Sequence, residues 1–177
     1  MIARLISANS SELLKMNGDE LKQSIKASEG RTVLSENVVI QPAIDGLTMS
    51  EIAAAFGADL ILLNLFDVFE PKVSGLEVKD AKGTVPGFTS DELIKIVKIV
   101  HQHDGLVMST IGTSQESSGK DVIREIALKN KTCSVDIQHI GDAAWGVLSP
   151  TETIFELSKT IRGLNHTISR MARSINR

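Results

Sequence analysis

The sequence predicts an α/β protein built on a parallel sheet, and three observations carry that prediction. Compact β-like runs and amphipathic helical runs follow one another four times along the chain, which implies parallel strands joined by right-handed crossovers. The apolar stretches Leu60-Ile61-Leu62-Leu63 and Val135-Asp136-Ile137 lack clean alternation, as expected of strands covered on both faces. Hydrophobic residues make up 42% of 177 positions but aromatic residues only 3%, with no Tyr, so the core is built from Ile, Leu, Val, Ala and Met. That composition suits helices packed on a sheet and disfavours an aromatic base-stacking platform.

Each element has its own signal. Asn9-Ser10-Ser11-Glu12 reads as a capped helix start, and Asn17-Gly18-Asp19 interrupts it and caps a second helix running towards Gly30. Thr32-Val33-Leu34-Ser35 begins the first strand, with Val38-Val39-Ile40 either continuing it or opening a loop that Pro42 constrains. Thr48 or Ser50 caps a small-residue helix that stops at Gly57, and the second strand follows over Ala58 to Asn64. Periodicity then lapses, so residues 72–86 are expected to form an irregular linker or lid within a single domain spanning 1–177. Thr89-Ser90-Asp91-Glu92 caps a strongly amphipathic helix ending at His103-Asp104-Gly105. Leu106 to Ile111 is the third strand, Lys120 to Asn130 the next helix, and Ser134 to His139 the fourth strand. After Pro150 at a helix start, Arg162, His166, Arg170, Arg173 and Arg177 form a basic stripe opposite an apolar face, read as a solvated helix side.

Composition also excludes classes. The formal net charge is −3, so no nucleic-acid partner is expected. No apolar run approaches the ~20 residues of a membrane span and the first residues lack a secretory apolar core, which predicts a cytoplasmic protein with no membrane partner. Cys133, the single cysteine, forms no internal disulfide and is expected to be buried and inert.

The candidate chemistry lies on loops that follow strands, because ligands of parallel sheets sit beyond the strands' carboxyl ends. Gly112, Thr113, Ser114 and Gln115, followed by more hydroxyl residues ahead of a helix, form a candidate anion-binding loop, with Gly141 on the neighbouring loop. A tight strand-to-helix turn at Gly112 and Gly119 explains the same residues, since no Gly-Lys-Ser/Thr fingerprint is present. His139 and Asp142, three apart at the end of the last strand, are candidates for acid/base work, and a turn around Gly141 is the plainer alternative. Glu36 and Asp67, with Asn64 and Glu70, lie at or just after the first two strands and complete the candidate catalytic set. Such oxygen ligands suit Mg2+ better than zinc, although scattered acids are commonly solvated surface. His101 and His103 sit two apart on a helix, face different ways, and read as partners of the helix C-terminal dipole. Trp145 stands near Asp142 as a wall for a ligand or as packing under the rim.

Residues 30–36, 53–71, 83–89, 111–118, His139-Ile140-Gly141-Asp142 and the ending 171–177 together resemble an uncharacterised bacterial family of TIM-barrel-like proteins. The resemblance covers most of the chain outside Ser74 to Lys82. It implies that the middle barrel units are missing between Gly75 and Gly83, because a full barrel needs ~250 residues. The four retained strands then correspond to the first two and last two of the barrel and leave a contiguous half-barrel with extra N- and C-terminal helices. An open flavodoxin-like sheet is the alternative. The resemblance also puts the Ile111 and His139 loops where TIM barrels commonly hold a phosphate.

These readings converge on a small-molecule enzyme acting on a phosphorylated or carboxylated metabolite by lyase, isomerase or hydrolase chemistry. The rival is a non-catalytic half-barrel remnant that persists as an oligomeric binding or structural protein. Two raw sheet edges lead us to expect a homodimer or higher oligomer in either case.

Overall fold

The computed structural model describes residues 3–39, 47–64, 89–112, 115–141 and 149–173. The stretch 72–86, expected to be an irregular linker or lid, lies outside the described residues, together with Asp67, Glu70, Thr113, Ser114, Asp142 and Trp145.

Two short helices, α1 (Ser10–Leu13) and α2 (Gly18–Lys26), open the chain. Asn9 and Asn17 cap them as the sequence predicts, and each cap is a reciprocal capping box, Asn9 with Glu12 and Asn17 with Glu20. The strands are β1 (Thr32–Val38), β2 (Leu60–Asn64), β3 (Met108–Ile111) and β4 (Ile137–Ile140). Between and after them run α3 (Met49–Ala55), α4 (Ser90–Gln102), α5 (Lys120–Thr132), α6 (Thr151–Arg162) and α7 (Leu164–Ala172). Thr48 and Thr89 cap α3 and α4 with the same box, through Glu51 and Glu92. All three strand pairings are parallel and the order is β2-β1-β4-β3, so the first and last strands are neighbours at the centre.

The sheet's two faces differ. Val33, Ile61, Ile111 and Ile140 share one parity and pack with Ala53 of α3, Ile123 and Ala127 of α5, and Ile154, Leu157 and Ile161 of α6. Helices α3, α5 and α6 therefore cover the same face. The opposite parity carries Leu34 and Glu36, Leu60, Leu62 and Asn64, Met108 and Thr110, and Ile137 and His139. A second cluster joins Leu93 and Val97 of α4 to Val107, Cys133 and Val135, which places the cysteine in the core as expected.

Local chemistry explains how β2, β3 and β4 start. Helices α3, α4 and α5 end alike, with Ala58, Gly105 and Val135 amides donating back to the carbonyls of Ala53, Val100 and Asn130. The residue before each of these, Gly57, Asp104 or Ser134, has positive φ, as this helix ending requires. An aspartate then clamps a strand pair. The Asp59 amide donates to the Val33 carbonyl at 2.8 Å while its carboxylate accepts from the Val33 amide at 2.9 Å. Asp136 repeats this with Val107, at 3.1 and 2.8 Å. Because residues 134–136 are spent on this turn and clamp, β4 starts at Ile137 rather than at Ser134.

The basic C-terminal stripe is not one solvated helix side. The chain breaks at Gly163, whose φ of 82° separates α6 from α7. Arg162 and Arg170, either side of the break, both reach the fully buried Asp59, with contacts of 2.5 and 2.9 Å. His101 is more than a dipole partner, since its Nε2 lies 2.8 Å from Asp136 Oδ2 and holds α4 to the start of β4. The N-terminal segment is tied to the same region by Lys22 and Lys26, which hold the Asp104 carboxyl well down, at about 2.

Candidate functional site

At the carboxyl ends of the strands, Glu36 lies two residues above the level where His139 pairs with Leu34. Both side chains share the sheet face opposite the helices, and β1 and β4 are adjacent, so the carboxylate and the imidazole meet. His139 Nε2 stands 2.9 Å from Glu36 Oε2, with only 4% and 11% of the side chains exposed. Asn64 of β2 supplies the second partner, its Nδ2 donating to Glu36 Oε1. Three strands thus contribute one residue each to a buried dyad and its support.

The electrostatics follow from this geometry. The hydrogen bond from His139 holds the Glu36 carboxyl below its ordinary value; burial opposes this, and the Asn64 amide and the charge of His139 reinforce it. Glu36 is therefore ionised at neutral pH and only accepts, so His139 Nε2 carries the hydrogen between them. In the neutral ring the other nitrogen, Nδ1, bears the lone pair. It is buried and, among the described residues, has no hydrogen-bond partner. A histidine held by a carboxylate through one nitrogen, with the other left as an acceptor, is the arrangement that general acid/base catalysis uses.

Gly141 makes the dyad possible. Its amide donates to the Ile111 carbonyl at 3.1 Å, joining β4 to β3, and its Cα passes directly over Glu36. A Cβ here would stand 2.9 Å from both Glu36 Cβ and the Glu36 carbonyl oxygen, and φ is +140°. Gly141 therefore serves close packing against Glu36. Gly141→Ala is expected to destabilise the fold by about 1–3 kcal/mol, measured by urea unfolding. It should also part Glu36 from His139, read as loss of the fixed imidazole tautomer in nitrogen NMR.

The loop after β3 is only partly as expected. Gly112 is buried and its carbonyl accepts from the Gln115 amide at 3.2 Å, which starts a single 3-10 turn over Gln115–Ser117. Gln115 Oε1 and Glu116 Oε2 are both buried and, among the described residues, without a hydrogen-bond partner. Where the sequence reading counts only donors, the described half of this loop holds a buried carboxylate. Glu116 was missed because an acid among hydroxyl residues looks like loop surface. Helix α5, which follows, begins at Gly119 without a side-chain cap. Among the described residues no three His, Cys, Asp or Glu side chains converge as a metal site requires. Among them, too, no helix is long and apolar enough to cross a membrane.

The chain matches a domain of unknown function, DUF7916, over residues 6–82 and 78–177. It belongs to that family. Neither a curated protein nor a solved structure matches the chain. The two matched stretches of the family domain meet at 78–82, within the interval that the sequence reading assigns to the missing units.

Proposed function

We propose that the protein is a cytoplasmic acid/base enzyme of TIM-barrel ancestry acting on a small phosphorylated or carboxylated metabolite. The observation that carries this reading is the buried His139 imidazole, paired with Glu36 through Nε2 and, among the described residues, unpartnered at Nδ1. Nδ1 takes a proton from the substrate, and the Glu36 carboxylate stabilises the imidazolium that results. The proton is returned from Nδ1 to the product, which fits lyase, isomerase or hydrolase chemistry alike. Asn64 keeps the carboxylate turned towards the ring. The anionic group of the substrate is assigned to the segment Gly112 to Ser114, and Asp67 and Asp142 are assigned as further acid/base groups.

Two findings support the half-barrel form of this reading. The order β2-β1-β4-β3 is that of the first two and last two strands of a ring, whereas a flavodoxin-like order would set β3 beside β1. Helices α3, α5 and α6 share one face, as outside a barrel. With both edge strands unpaired in the described sheet, the working unit is a homo-oligomer.

A thermal-shift panel of phosphorylated and carboxylated metabolites tests the proposal. A true substrate at a hundred times its Kd adds about 2.7 kcal/mol of stability, and turnover of that compound should follow. A panel without any stabilising anion favours the non-catalytic remnant, and a hit converted equally well by His139→Gln removes His139 from the mechanism.

A further inference from the structure

We infer that a second copy of this chain covers the sheet face that carries the dyad, closing an eight-stranded ring in which Met108 of one copy lies beside Leu62 of the other. This rests on the half-barrel reading above. On that face Met108 is 46% exposed, and Leu34, Leu60, Leu62, Thr110 and Ile137 are half-buried. The described sheet ends in β2 on one side and β3 on the other, both running the same way. A two-fold axis along the strands sets β3 of each copy against β2 of its partner, keeps every pairing parallel, and leaves no edge.

Area and register support this occupant. Four strands ~4.8 Å apart and about five residues deep at ~3.3 Å each give a face of roughly 300 Å2 in plan. Two such faces give about 600 Å2 in plan, and side-chain relief with two new edge ladders brings the buried area to the order of 1,000 Å2, the lower threshold for a biological interface. Within one copy the ladder runs level from Met108 to Ile137 to Thr32 and, since Leu34 faces Leu60, on to Ala58. An eight-stranded parallel barrel closes with a shear of about eight residues, so symmetry allots about four to each joint. Met108 then meets position 62 or position 54 of the partner. Ala54 belongs to α3, so the joint sets Met108 against Leu62. The even offset keeps both side chains on the inner face, as the pleat demands. Both dyads then open on one mouth, because both sets of carboxyl ends point the same way along the axis.

Sedimentation and native mass at low micromolar concentration should give a dimer, and Met108→Lys should give a folded monomer by circular dichroism. In a Cys133→Ser background, mixing Met108→Cys chains with Leu62→Cys chains under oxidation should yield a disulfide between the two variants. Positions 62 and 108 occupy opposite edges of one sheet, so one chain alone cannot form that bond. A compact wild-type monomer overturns the inference, with the face then covered within the chain, as does a dimer that links 108 only to 108. The acid/base reading fails separately, since His139→Gln is expected to retain the dimer mass while losing turnover.

Discussion

Glu36→Gln is expected to lower turnover of the substrate identified by the panel by about 10²–10⁴-fold, the range that a positioned acid/base group contributes. The amide keeps the length of the side chain and its acceptor oxygen, so the variant should fold and bind while losing the charge that fixes the imidazole. His139→Gln should fall at least as far, because it removes Nδ1 itself. Asn64→Ala leaves the carboxylate and ring in place and should cost less. A readout independent of substrate is available: nitrogen NMR should find the Nε2–H tautomer of His139 in the wild type and a mixture in Glu36→Gln. Equal turnover in all three variants would remove the dyad from the mechanism.

The same pair sets a pH limit. The folded protein holds Glu36 below the ordinary value of 4.5, so its pairing contributes fully above that value and is lost as pH falls through the lower, folded one. Urea midpoints should therefore drop on the acid side more steeply for the wild type than for Glu36→Gln.

What could be read from sequence was whatever short-range chemistry decides. The caps at Asn9, Asn17, Thr48 and Thr89 are each settled within four residues; three were legible outright, and Thr48 only as an alternative to Ser50. The fourth strand began late because the Asp136 side chain is spent on the Val107 amide, 29 positions away. The C-terminal stripe looked continuous because its spacing runs through Gly163, and only the positive φ there breaks it. Glu36 and His139 were legible as strand-end candidates, but their meeting needs β1 beside β4, a pairing of strands about a hundred residues apart. No local pattern carries that adjacency.

Asp59→Asn should destabilise the protein by about 3–5 kcal/mol, the usual consequence of removing one partner from a buried ion pair. The aspartate side chain is fully buried and the Arg162 side chain 1% exposed, so nothing replaces the lost charge by solvation. Arg162 approaches through both terminal nitrogens, at 3.3 and 2.5 Å, and Arg170 adds a contact of 2.9 Å from the far side of the Gly163 break. The asparagine retains a carbonyl oxygen for the Val33 amide, which separates the ionic role from the strand clamp. Asp59→Ala removes both and should fall further. Arg170→Ala is the milder control, because that side chain is 20% exposed and Arg162 still neutralises the carboxylate. Urea unfolding of the three variants orders them Ala, Asn, then Arg170→Ala in decreasing damage. Near-equal midpoints would mean that α6 and α7 are held to the sheet by their apolar sides alone. If the order holds, one carboxylate at the amino end of β2 fixes the first strand pair and both C-terminal helices, and the dyad at the opposite end inherits its geometry from that anchor.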